Sequence, residues 1–193
     1  MKKKIIIPIG IVALFLVIGF IIFDNNKIVS TITLDINPSI EINLTRNEKV
    51  KSVVALNEDA KEIVNGNLKG KSIDDTLKQI TDNLIEKGYV AEENFLEIIL
   101  YSEGDISNKE LETKLKETLE KKKIDSNITT IEKVSKEDEE LAKKYDVSPA
   151  KISYIKSIIK DNENINIEDL SNKSVSELNE TKATGKYCDK GYT

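Results

Sequence analysis

Between Ile28 and Leu56 apolar and polar residues alternate with a period of two, the pattern of strands with one dry face. Ile28, Ile32, Leu34 and Ile36 fall on even positions, and so do Ile40, Ile42 and Leu44, with Ser, Thr, Asp, Glu and Asn mostly between them. The alternation predicts a first strand over Ile28 to Ile36, a second over Ile40 to Thr45 and a third over Val50 to Leu56. A two-residue loop between the first two would set Leu34 opposite Glu41 and place a charge on the dry face. A three-residue loop of Asn37, Pro38 and Ser39 pairs Ile36 with Ile40 and Leu34 with Ile42, and keeps that face apolar. Pro38 has no N–H to give a central strand, so a sharp bend is expected rather than one continuous strand.

Beyond Leu56 the period changes. Glu58 to Val64 can hold a short helix, ended by Asn65-Gly66-Asn67. Ser72 caps a helix running to Lys87, with Asp74 and Asp75 at its positive end, Leu77, Ile80 and Leu84 on one face, and Gly88 as the stop. Phe95 to Tyr101 is apolar on both faces except at Glu97, which predicts a central strand. Ser107 and Glu110 read as a capping box before a helix carrying Leu111, Leu115 and Leu119. Ile128 to Val134 gives a fifth strand. A short helix follows, marked by Leu141, Ala142 and Tyr145. Ser148 as cap and Pro149 at the first helical position open the next, with Ile152, Ile155 and Ile159 inward. Asn166 caps a last, weaker helix through Leu170 toward Leu178. The fold expected is α+β: about five strands in a mixed sheet with helices packed on it.

Ahead of this domain, Ile5 to Phe23 carries no charge and as a helix spans about 28 Å, the thickness of a bilayer's hydrocarbon core. Lys2, Lys3 and Lys4 precede it and Asp24 follows, which predicts a single-pass anchor in the cell membrane with its N-terminus in the cytoplasm. A cleaved signal peptide is the alternative. Against it, the run is longer than a usual signal core and Gly19 to Phe23 offers no small-x-small cleavage site. The layout expected is a stub over 1–4, a transmembrane helix over 5–23, an extracytoplasmic domain over 24–181 and a tail over 182–193.

Charge and composition then exclude whole classes. All 34 Asp+Glu follow the apolar run, so the domain is more acidic than the net −5 of the chain, unlike a nucleic-acid surface. With no His and one Cys, the usual zinc sites, a Ser/His or Cys/His nucleophile and an internal disulfide are all excluded. Cys188 stands in the polar tail as a free thiol or, alternatively, a link between copies. Asp161-Asn162-Glu163-Asn164 begins like a calcium loop, but Ile165 and Asn166 stand where an oxygen ligand and Gly are needed. No metal or cofactor is expected.

Four stretches carry a resemblance. Leu34 to Glu41 (LDINPSIE), then Val50 to Asp59 (VKSVVALNED) and Leu68-Lys69-Gly70, resemble the extracytoplasmic middle domain of RsgI-type anti-sigma-I factors. Val147 to Lys151 (VSPAK) with the apolar helix after it is similar to that domain's C-terminal part. The resemblance runs from about Lys27 to Glu180 and implies self-cleavage between Asn37 and Pro38. It further implies that the membrane-bound stub left by loss of the C-terminal piece is accepted by an intramembrane protease. Only Met1 to Lys4 lie before the membrane run, so the family's sigma-binding cytoplasmic domain is expected to be absent, and a full-length anti-sigma relative becomes a candidate partner.

On the residues alone, an Asn–Pro dipeptide is more often only a turn. The chemistry that favours scission is specific, however. The Asn37 side-chain nitrogen can close a five-membered ring on its own backbone carbonyl and expel Pro38 as a new N-terminus. The competing ring closure needs an N–H on the following residue, which Pro38 lacks. A bent tertiary amide can also be held off planarity, where a twist of about 12° costs about 1 kcal/mol. Asp35 would share the strand face of Asn37 and can take a proton from it, or serve only as a solvated residue. Ser39 can hydrogen-bond the developing oxyanion, or merely cap the bend. At most this is a single-turnover reaction of the chain on itself. A non-cleaving, membrane-tethered binding or scaffold domain is the alternative function, and a soluble secreted protein a third.

Overall fold

The computed structural model describes residues 27–90, 95–160 and 165–184. A five-stranded sheet runs in the order β3-β2-β1-β4-β5. Its strands are β1 (Ile28–Asp35), β2 (Ser39–Thr45), β3 (Val50–Ala55), β4 (Phe95–Gly104) and β5 (Asp125–Ile131). Every neighbouring pair is antiparallel except β4 and β5, which are parallel. That pair is joined through a helix, the crossover that parallel neighbours require. β1 lies at the centre of the sheet, hydrogen-bonded to β2 on one side and β4 on the other.

Two helical layers cover the sheet. On one face lie α1 (Ala60–Ile63), α2 (Ile73–Glu86) and α3 (Asn108–Lys121). Their Leu77, Ile80, Leu84, Leu111, Leu115 and Leu119 share a core with Ile32, Leu34, Ile40, Ile42 and Leu44. From Ile32 onward the even-numbered stripe of β1 and β2 is thus the dry face that its spacing predicts, whereas Ile28, ahead of a break in the β1–β2 register, is exposed. The second layer follows β5: α4 (Lys136–Tyr145), α5 (Pro149–Ile159), α6 (Ile167–Ser171) and α7 (Val175–Thr184). Here Ala150, Tyr154, Ile155, Ile158, Leu170, Val175 and Leu178 gather around Ile99. β4 therefore feeds both cores, Ile98 and Leu100 into the first and Ile99 into the second, as expected of a strand apolar on both sides.

The α+β class and the mixed five-stranded sheet are as the sequence predicts, but several details differ. The hairpin pairs Leu34 with Ile40 and Asp35 with Ser39, and its loop is Ile36-Asn37-Pro38. This register is slipped by two residues from the expected Ile36–Ile40 pairing, and the slip keeps the dry face dry because the period of a strand is two. The fifth strand begins at Asp125 and ends at Ile131, earlier than predicted, because pairing with β4 and not amphipathy sets its ends. Ile158, not Ile159, completes the buried stripe of α5. Ser107 does accept from the Glu110 N–H at 3.2 Å. The last helix is broken in two at Asn172–Ser174, where Ser174 caps α7 by accepting from the Glu177 N–H at 3.2 Å.

Among the described residues no helix is long and apolar enough to cross a membrane. The expected membrane run over Ile5 to Phe23, the Asp161–Asn164 stretch and Cys188 lie outside them.

Candidate functional site

The alternation that buries even positions of β1 turns the odd ones, Thr31, Thr33 and Asp35, to the opposite face. The apolar part of the second helical layer covers the β4 side of that face, and Asp35 falls at its margin, beside the first turn of α5. Asp35 is fully buried, at 0% exposure. Its Oδ2 accepts a hydrogen bond from the Ser148 hydroxyl. Ser148 is also the cap of α5: its Oγ accepts from the Lys151 N–H at 2.9 Å. One hydroxyl therefore starts the helix and fastens it to the hairpin. The capping role follows from the Ser-Pro pair; the second role needs the tertiary fold.

Burial pushes the Asp35 carboxyl above its ordinary value, against the Ser148 hydroxyl, the Ser39 hydroxyl and the Lys151 ammonium, which favour the charged form. Its other oxygen, Oδ1, is buried with no hydrogen-bond partner among the described residues. Lys151 is itself only 5% exposed. Burial pulls its ammonium below the usual lysine range, and Asp35 and Glu177 oppose that pull. Asp35 and Lys151 are thus both buried near the base of the hairpin, joined through Ser148, which donates to the one side chain and accepts from the other residue's N–H.

The bend itself is tightly held. The Ile36 N–H donates to the Pro38 carbonyl at 2.9 Å, and both residues are buried, while Asn37 between them is exposed. Asn37 sits at φ 65°, the left-handed region that Asn tolerates better than most residues. The Ser39 N–H donates to Asn57 Oδ1 at 3.1 Å, and the same oxygen accepts from the Ala60 N–H at 3.1 Å. The Leu56 N–H donates to the Ser39 carbonyl at 2.9 Å. Asn57 thereby ties the hairpin base to the start of α1.

All four residues singled out in the sequence lie in this one hairpin, in different surroundings. Asn37 and Pro38 form the bend, whereas Asp35 and Ser39 are the cross-strand pair that closes it. The expectation that Asp35 and Asn37 share a strand face is not met: the strand ends at Asp35, and the left-handed turn carries Asn37 out to solvent while Asp35 points inward. Ser148, Lys151 and Asn57 are the partners that sequence reasoning missed. A signal for Lys151 was present, since it stands on the inward stripe of α5 with Ser148, Ile155 and Ile158, where a charge requires a partner. Among the described residues no cluster of His, Cys, Asp and Glu is placed to hold a metal ion.

The buried Asp35–Ser148 contact under the Asn–Pro bend joins the first and the last of the stretches in which the sequence resembles RsgI-type factors. The chain belongs to the family of anti-sigma factor RsgI-like central domains, whose model matches residues 29–157, from β1 into α5. It is 27% identical over 169 residues to the anti-sigma-I factor RsgI7 of Acetivibrio thermocellus, covering 85% of this chain and 31% of that protein. It is 32% identical over 157 residues to the anti-sigma-I factor RsgI of Bacillus subtilis, covering 76% of this chain and 39% of that one. The chain thus spans well under half the length of either relative.

Proposed function

We propose that this is a membrane-tethered extracytoplasmic domain of an anti-sigma signalling system, and that it cuts itself once between Asn37 and Pro38. The observation that carries the reading is the bend: an exposed, left-handed Asn37 between two buried residues, on a hairpin fastened at its base from two directions. In the reaction, Nδ2 of Asn37 attacks the Asn37 carbonyl carbon and the bond from that carbon to the Pro38 nitrogen breaks. The proton lost from the amide nitrogen passes to the leaving nitrogen. The products are a succinimide at the new C-terminus and a secondary amine on Pro38. A geometry held near attack supplies much of the acceleration such a step needs.

Ile5 to Phe23 would anchor the domain, with the residues before it on the cytoplasmic side and the folded domain outside. After scission the membrane-bound piece would keep β1 and stay with the remainder through strand hydrogen bonds and the dry face of Ile32 and Leu34. Loss of the remainder would leave a short stub ending at Asn37, a substrate for an intramembrane protease. The names of the relatives support a link to sigma-factor control.

A second reading has its own support: left-handed Asn is a common turn residue, so the motif can serve as a hairpin apex in a non-cleaving surface domain. Expressing the full chain and weighing the products separates the two. Self-cleavage gives fragments ending at Asn37 and starting at Pro38, whose masses sum to the intact chain, or to one water more after the succinimide opens. Asn37→Ala removes both. An intact chain in every preparation leaves the non-cleaving reading.

A further inference from the structure

Of the contacts that hold the bend, most are local. The Ile36–Pro38 hydrogen bond and the Asn57 clamp involve residues 36 to 60 alone. Two reach further: the β1–β4 ladder, which sets Asp35 opposite Ile99, and the hydrogen bond from Ser148 to Asp35, which spans 113 positions of the chain and comes from a helix in the other layer. A two-stranded hairpin is marginal by itself, and a buried Asp35 lacks its side-chain donor until α5 brings the Ser148 hydroxyl to it. Asp35 is two residues from Asn37, so whatever fixes it fixes the chain next to the scissile bond. Ring closure is sensitive to such fixing: a 1 Å misplacement can cost about a hundredfold in rate.

We infer that Ser148, through its hydrogen bond to Asp35, is a positioning residue for scission at Asn37–Pro38, so that the bond becomes breakable only after α5 has docked. The inference rests on the self-cleavage reading and adds an order of events to it. A chain whose C-terminal layer has not yet folded keeps its backbone whole, and every cut chain is one in which both layers already grip β1.

The cluster also sets a pH signature. The groups acting on Asp35 are Ser148 and Lys151 from α5 and Ser39 from β2. β4 brings the apolar Ile99 opposite it, and Glu177 of α7 acts on Lys151. Protonating Asp35 removes the charge that strengthens its hydrogen bond from Ser148, so scission slows in acid. Removing the Ser148 hydroxyl takes away a hydrogen bond that favours the carboxylate, which moves that acid limb to higher pH.

The test is to synthesise the full chain cell-free into lipid nanodiscs and follow loss of intact chain by gel and mass spectrometry across a pH series. Ser148→Gly retains a tolerated helix cap but loses the contact to Asp35. It is expected to cut at least tenfold more slowly at neutral pH with its acid limb raised, and Ser148→Thr to restore both. A folded Ser148→Gly chain that cuts at the wild-type rate with the wild-type profile overturns the inference and leaves self-cleavage standing. Should Ser148→Gly fail to fold, Ser148→Asp, a strong helix cap that cannot donate to a carboxylate, carries the same test, and a wild-type rate and acid limb there overturn the inference. If the wild-type chain stays whole throughout, self-cleavage itself falls and the inference with it.

Discussion

The Ser148 hydroxyl donates to the buried carboxylate of Asp35, joining the start of α5 to the end of the central strand. Neither residue is satisfied without the other. Asp35 would be a buried carboxylate lacking its strongest partner, and Ser148, at 0% exposure, would keep only the cap bond it accepts. Asp35→Ala is therefore expected to cost about 1–3 kcal/mol of stability, the range for leaving a buried polar partner unpaired. Denaturant unfolding of the full chain measures it, and a variant as stable as wild type would show the contact to be energetically idle.

Asn37 has a conformational role in the bend and, in the proposed scission, a chemical one, and a single substitution separates them. Asn37→Gly accepts φ 65° without strain but has no carboxamide. The melting temperature should stay within a few degrees of wild type while scission disappears. Continued scission in the glycine variant would rule out the side chain as nucleophile.

Asn57 uses one oxygen to hold two backbone N–H groups, those of Ser39 and Ala60. Asn57→Ala leaves both without that acceptor and is expected to lower stability by about 1–3 kcal/mol. Amide hydrogen exchange should localise the effect, with Ser39 and Ala60 losing protection and the α5 amides keeping theirs.

Asp138 governs part of the acid response. It is 4% exposed and lies 2.8 Å from the Lys156 ammonium. Burial pushes its carboxyl up, but Lys156 and the N–H and hydroxyl of Ser135 bring it below its ordinary value of 3.8. A carboxyl lowered by folding contributes stability above its unfolded pKa and loses it as pH falls through the folded one. Asp138→Asn should thus be less stable than wild type by about 1–2 kcal/mol at pH 7, with the gap closing in strong acid. A gap that persists unchanged at pH 2 would assign the loss to packing instead.

At the opposite end of β1 from the bend, Gly104 sits at φ 114°, and a Cβ there would stand 2.0 Å from the Val29 carbonyl oxygen. Backbone cannot yield to that clash cheaply, so Gly104→Ala is expected to destabilise by at least about 1–3 kcal/mol. A thermal melt reads it directly.

Strand parity, helix caps and the two-sided apolar strand β4 were legible because each is a local pattern. The hairpin register was not, since a slip of two leaves every even residue on the same face. What selects it is the closing pair Asp35–Ser39, whose burial depends on α5 and on Asn57. Asp125 to Asn127 gave no strand signal because their pairing is with β4 rather than with a core. The break between α6 and α7 was written in the chain as Ser174 and Glu177, a start signal read through as helix interior. In the site, Asp35, Asn37, Pro38 and Ser39 were visible as one motif, whereas Ser148 showed only its capping role because the other depends on a residue 113 positions away.

The central place of β1 sets how the domain can come apart. An outermost strand can peel away and leave an intact sheet, but this one is the keystone between two sub-sheets, β2 with β3 and β4 with β5. Pulling it out strips both ladders at once and bares two fresh edges of unpaired N–H and C=O groups, which invite other partners before the original can return. Departure of that strand is therefore a one-way event with a high kinetic threshold, resisting idle fluctuation and yielding to sustained pull.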